Sequence, residues 1–369
     1  MASFGINVFD FGAKGDGITD DTAAIQAAID HTAARGGGKI LFPYTPHGYR
    51  LASPAVETYN GKPVRAQLVI PDGDANILLE GEMPCRLLHS YQVRPLDASK
   101  DSFEPTRFGT PKIDNTLLFS DWEAPEEHDG NERPWSILAA PEGNSCKGRF
   151  SAVQVSLKNL EFRVPVDREK MYPTQTAVNL QNVSRVNVTD CQFCLNEEVG
   201  DAVLGKELQP SPCHTAGLIT SGDQNDDNVL RNVASQGFRY GFVLGEHVVA
   251  DYLYVHNCEE GIVFHDCSHV SVLNHVVAQH NAVILSTTRG RLFGMEGGPC
   301  CVVVGSLNFE CGTGLKPAVS QLKYGVYDPE KRLRGSLTWH KPWGKQEFPS
   351  VAGECFTITH FAETGDGQS

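Results

Sequence analysis

The chain has 369 residues, 45 of them acidic and 31 basic, giving a formal net charge of −14, with 40% hydrophobic and 36 glycine residues. That balance argues against a nucleic-acid partner, because neutralising phosphates requires a basic surface, and it suits a strongly anionic polymer only where a basic groove lies locally. No apolar run approaches the roughly 18 residues of a transmembrane helix, so no membrane partner is expected. The opening MASFGINVFDF lacks the basic start and apolar core of a signal peptide. The expected location is therefore the cytoplasm, or a secreted form whose leader has been removed. Eleven cysteines are an odd number, so at least one is unpaired. Cys191, Cys258 and Cys267 sit beside expected strands and read as small buried thiols in a reduced compartment. Cys191 to Cys194 forms one CxxC with no second to complete a zinc site, so no metal or other cofactor is expected.

INVFDFGA reads as a strand ending in a glycine turn. Thr19 is placed to cap a helix whose first turn carries Asp20 and Asp21, where carboxylates favour the positive end of the dipole. Ile25, Ala28, Ile29 and Ala33 share one face, and Gly36 to Gly38 stop the helix before KILFP begins the next strand. An amphipathic helix of this kind covers the exposed end of a stack of strands. RAQLVIPDGDANILLEGE gives two strands around an Asp-Gly turn. From 91 to 150 the periodicity lapses into a loop insertion, whose acidic stretch carries Trp122 and Trp135. Tryptophan there serves either to stack on a sugar face or to anchor the loop. Strands resume at Ala152, and a second insertion, 197–213, follows the run that begins at Ala177.

Four short apolar runs begin at Ala216, Tyr240, Gly261 and Ala282, spaced by 24, 21 and 21 residues. Each is too short for a helix, ends in turn-forming residues, and is followed by a second β-rich run. Such a period marks a solenoid, in which each coil buries its apolar side against its neighbours. The repeat decays after Ala282, and the tail 312–369 is expected to pack on the outside or close the far end. No linker divides the chain, so 1–369 reads as one all-β domain.

The motif VFDFGAKGDGITDDTAAIQAAID…GGGKILFP closely resembles the N-terminal motif of the pectate-lyase-like superfamily of right-handed parallel β-helices. Its polygalacturonases and related hydrolases, lyases, fructotransferases and tailspikes act on or bind glycans, and many associate as homotrimers. The resemblance implies this fold with an N-terminal capping helix, and a poly- or oligosaccharide as partner. It does not settle the reaction, since one fold hosts several.

Register turns sequence into columns, with equivalent positions of adjacent coils about 4.8 Å apart. The two positions before each run read His214-Thr215, Phe238-Arg239, Glu259-Glu260 and His280-Asn281, beneath the insertion bearing Glu197, Glu198 and Asp201. Glycoside cleavage needs one acid to protonate the leaving oxygen and one carboxylate as base or nucleophile. Stacked glutamates repel, and that repulsion makes one of them a usable acid. By resemblance to polygalacturonase-like elements, NCEEGIVF places Glu259 and Glu260 in the acid roles and AQHNAVIL places His280 beside them. Glu198 or Asp201 is available as the second carboxylate. Arg239, His214, Asn281, Arg289, Trp122 and Trp135 are the expected sugar-binding residues. The Asn-Thr-Asp and Arg-Ile-Lys elements of polygalacturonases are absent, so the expectation is glycosidic chemistry of a related kind.

A second-choice acidic cluster comprises Asp223, Asp227, Glu246 and Asp266, for which turn formation is the plainer role. A polysaccharide lyase is the enzymatic alternative. It needs a base at a uronate carbon and charge neutralisation by Arg289, Arg291, Lys316 or Ca2+. A tailspike-like solenoid that binds glycans without turning them over is the non-enzymatic one.

Overall fold

The computed structural model describes residues 5–85, 115–125, 130–142, 152–167, 172–181, 183–196, 213–220, 227–265, 267–279, 281, 283–288, 291–295, 300–310, 333–340 and 357–364. Successive strands stack into two sheets, of 16 and eight strands among these residues, in parallel except for Val56–Tyr59, which pairs antiparallel with Lys62–Val69 at the edge of the smaller. The larger runs from Ile6–Asn7 through Gly37–Phe42, Gly73–Gly81, Ala152–Lys158, Val183–Leu195, Asn228–Gln236 and Cys267–Gln279 to Thr357–Thr364. The smaller runs from Lys62–Val69 through Ser136–Ala139, Thr176–Asn179, Ala216–Ile219, Tyr240–Leu244 and Glu260–His265 to Val283–Thr288. This is the expected right-handed parallel β-helix.

Long strands of the larger sheet bend at residues in the left-handed region, Asn159, Asp190 and Asn232, with φ of 57°, 51° and 54°. Asparagine and aspartate tolerate that conformation because their short polar groups bond locally. The Asn232 amide donates to Asp190 at 2.6 Å, and that of Asn159 to the Gly81 carbonyl at 3.2 Å. Between bends and turns, alternate side chains point inward. Leu160, Phe162, Phe193, Leu218, Phe242, Ile262, Phe264 and Leu285 belong to one continuous core. Where coils approach most closely only glycine fits: a Cβ on Gly241 would lie 2.4 Å from the Gly261 carbonyl oxygen.

The helix at the open end spans Thr22–Ala34 and buries Ile25, Ala28 and Ile29 as expected. Its start differs from the sequence reading. Asp16–Asp20 is a strand, so Thr19 is not the cap, and the Asp21 side chain makes no cap bond. Asp21 instead turns back and accepts from the backbone amides of Lys14 and Gly15, at 2.6 and 3.0 Å. Asp20 accepts from Thr22, Ala52 and Ser53. Both acids tie the loops of the cap together.

Two further departures concern extent. Thr116–Ser120 and Ser136–Ala139 lie inside 91–150, yet each joins the stack in parallel register. They are too short for their alternation to stand out from the acidic segment between them. Within 312–369, Leu333–His340 and Thr357–Thr364 add two rungs to the larger sheet rather than packing along its outside. No helix among the described residues is long and apolar enough to cross a membrane.

Candidate functional site

Each coil passes from the larger sheet to the smaller through a tight corner, as in Gly237-Phe238-Arg239 and Asn257-Cys258-Glu259. The register beyond that corner differs from the sequence reading by one residue between the second and third runs and by two between the third and fourth. Ala216 pairs with Tyr240, Tyr240 with Glu260, and Glu260 with Val283. The first residue of a strand is fixed by backbone hydrogen bonds: the Glu260 N–H donates to the Arg239 carbonyl at 2.8 Å. Apolarity, by contrast, marks only the inward side chains, so Gly261 is not the start. Arg239 therefore neighbours Glu259 rather than Glu260, and Phe238, Cys258 and Asn281 share the preceding place.

The consequences for the glutamates are distinct. Arg239 Nε and Glu259 Oε2 lie 3.4 Å apart, and both side chains keep about a quarter of their surface in solvent, 22% and 26%. Glu260 faces its rung neighbours, accepting a short hydrogen bond from the Ser286 hydroxyl. Among the described residues, no cation lies within ion-pair distance of Glu260. Tyr240, one rung before Glu260, is nearly buried, and its hydroxyl lies 3.0 Å from His214 Nδ1. Burial pushes the Tyr240 phenol well above its ordinary range; Arg239 opposes the shift, and Glu260 and Glu259 reinforce it. The phenol is thus protonated at neutral pH, and the His214 tautomer sets which of the two groups donates. Arg239 also sits over the Tyr240 ring, 5.5 Å from its centroid. Gly130 makes room for His214, because a Cβ there would meet Nδ1 at 2.4 Å. The carbonyl of Gly130 accepts from Phe293 N at 2.6 Å, and Phe293 packs edge-on against Tyr240.

The corner therefore gathers Arg239, Glu259, Glu260, Tyr240, His214 and Ser286. Asn281, expected on the sugar-binding row, is instead 2% exposed and turned into the corner. Its Oδ1 accepts from Cys258 N at 2.9 Å and its Nδ2 donates to the Val255 carbonyl at 3.0 Å. Trp122 and Trp135 pair edge-to-face at 5.5 Å, and Trp135, 8% exposed, has the Arg65 guanidinium 5.2 Å over its ring. Trp135 is thereby an anchor on the flank of the solenoid. Of the second-choice acids, Asp227 is exposed and pairs with Arg185 at 3.8 Å, whereas Glu246 is 2% exposed. His280, Glu198, Asp201, Arg289, Asp223 and Asp266 lie outside the described residues. Among those described, no three His, Cys, Asp or Glu side chains are placed to hold a metal ion.

Sequence reasoning missed Tyr240, which opens a run read as apolar filling, and Ser286, which follows the last run where the repeat decays. It also missed a buried pair on the outer side of Leu160–Val164. There Arg163 Nε donates to Glu161 Oε1, which shares its carboxylate with Asn115 Nδ2 at 2.6 Å. The alternation of LEFRV, charged at every second position, was the available signal.

Residues 5–62 match a family model described as rhamnogalacturonase A/epimerase, pectate lyase-like. Over 37 residues, 10% of this chain, the sequence is 68% identical to a mannuronan C5-epimerase and equally to an alginate lyase, both of Azotobacter vinelandii. The matched segment spans 4% of the length of each. Relatives with two different reactions match at the same identity over the same length, so this match does not select a reaction. Among solved structures, DFA-IIIase from Arthrobacter chlorophenolicus A6 aligns with a TM-score of 0.50 at 11% identity, over 98% of this chain and 82% of that one. The chain is a β-helix related to this group, and its N-terminal segment is related to carbohydrate-active enzymes.

Proposed function

We propose that the protein is a carbohydrate-active enzyme that cleaves or rearranges glycosidic bonds of a poly- or oligosaccharide at the Arg239–Glu260 corner. The observation that carries this reading is the unequal setting of two adjacent carboxylates at a partly exposed corner. Glu259 has a guanidinium beside it, which favours the charged form. Glu260 has a hydroxyl and a protonated phenol as neighbours and no cation in reach among the described residues. In this reading Glu260 protonates the leaving glycosidic oxygen as the bond to the anomeric carbon breaks. Glu259, or Glu198 or Asp201 from the adjoining insertion, attacks that carbon or deprotonates the water that does. Tyr240, His214 and Arg239 orient sugar hydroxyls.

A second reading, β-elimination on a uronate, draws on Arg239 as partner for the uronate carboxylate, on the protonated Tyr240 as proton donor, and on the epimerase and lyase likeness of the first coils. The test is incubation with neutral and uronate glycans, with products weighed by mass spectrometry. Gain of water or an isobaric rearranged product supports the first reading. A product absorbing in the ultraviolet without gain of water replaces it with the second. Glycan binding with no product under any condition leaves a binding solenoid and refutes both.

A further inference from the structure

The corner that holds Arg239 and Glu259 continues toward the N-terminus as a column. Thr176 N bonds to the Trp135 carbonyl, Tyr240 N to that of Thr215, and Glu260 N to that of Arg239. Together with the pairing of Thr176 with Ser136 and of Ala216 with Tyr240, these bonds put Trp135, Gln175, Thr215, Arg239 and Glu259 at one place in five successive coils. Gln175 is 0% and Thr215 1% exposed. Among the described residues, neither the amide nitrogen nor the amide oxygen of Gln175, nor the Thr215 hydroxyl, has a hydrogen-bond partner. Leaving buried polar atoms unsatisfied works against folding, and native structures rarely retain them without use. Here two such residues occupy adjacent rungs, next in line to Arg239.

We propose that Gln175 and Thr215 form a further binding subsite for a hydroxylated group of the saccharide whose bond lies at Arg239, Glu259 and Glu260. The inference rests on the carbohydrate reading of that corner and extends it along the solenoid axis. An amide and a hydroxyl each donate and accept, which is the complement of a sugar hydroxyl. With rungs about 4.8 Å apart, the pair lies roughly 5–10 Å from Arg239, within the span of one or two sugar units. Both side chains are closed from solvent, so an occupant reaches them only when the corner opens. Trp135, held by Trp122, has Arg65 beyond it in the next rung toward the N-terminus.

The test uses Gln175→Leu and Thr215→Val, which keep approximate size and remove only the polar atoms. Because those atoms have no partner in the folded chain, the thermal midpoint should stay the same or rise. Binding of di- to hexasaccharides, of mannuronate and of inulin, should weaken about tenfold for the longer probes and little for the shortest, with KM rising more than kcat falls on any probe turned over. A drop in midpoint would show that the pair is satisfied within the fold, for instance by a held water, and overturns the inference. So does binding by the parent chain that the variants leave undiminished at every length. Failure of the parent chain to bind any probe refutes the carbohydrate reading and the subsite with it.

Discussion

Replacing Gly241 by alanine tests the stacking on which every column depends. The added Cβ would lie 2.4 Å from the Gly261 carbonyl oxygen, 3.0 Å from Val255 Cγ1 and 3.3 Å from Cys258 Sγ. An ordinary carbon–oxygen contact begins at about 3.3 Å, so the next coil must retreat by roughly 0.9 Å, a fifth of the strand spacing. The nearest obstacle is backbone, already engaged in the sheet, and cannot swing aside as a side chain would. Overpacking of this kind costs about 1–3 kcal/mol, and the backbone obstacle puts this case at or above the upper end. Val249→Ala is the control, because Val249 is 45% exposed on the outside of the larger sheet and its truncation should cost about 1 kcal/mol or less. Urea unfolding followed by circular dichroism reads both. A Gly241→Ala chain as stable as the Val249→Ala chain would refute the coil-on-coil packing.

Glu161→Gln keeps the shape of the side chain but leaves Arg163, 4% exposed, without its counter-charge. The expected loss is about 3–5 kcal/mol, and adding Arg163→Met should restore much of it; thermal unfolding of the single and double variants checks both. At Asp20 burial opposes the charge, but hydrogen bonds from Ser53, Thr22 and Ala52 outweigh it and hold the carboxyl at about 2, against an ordinary 3.8. Because the folded value is the lower one, this stabilisation is complete above about 3.8 and is lost as pH falls through about 2. Asp20 is largely solvated, so screening limits the effect to about 1 kcal/mol or less. The stability gap between the parent chain and Asp20→Asn should therefore close over that window of an acid titration.

Much of the architecture could be read from residues alone, because a solenoid repeats its reasons. The cap was legible in Ile25, Ala28 and Ile29 followed by three glycines, and the coils in the recurring apolar runs. What escaped depends on backbone bonding rather than on hydrophobicity. Glu260 is a strand residue because its N–H reaches the Arg239 carbonyl, and nothing in its side chain announces this. Asp21 looks like a helix-terminal acid in sequence, yet it serves the loop at Lys14 and Gly15. Asn281 falls beside the glutamates in the repeat register of the sequence, but its amide is spent on Cys258 and Val255. Gln175 and Thr215 stand out only through what their buried atoms lack, which composition and spacing do not record.

The division of labour at the corner is tested most directly by Glu260→Gln, which preserves volume and removes the titratable proton. Product formation should be measured by mass against the glycan that the parent chain converts, with circular dichroism confirming the β-rich fold. The account predicts that turnover falls by about 10²- to 10⁴-fold while glycan binding persists. Turnover equal to the parent's, in a folded Glu260→Gln chain, would contradict it.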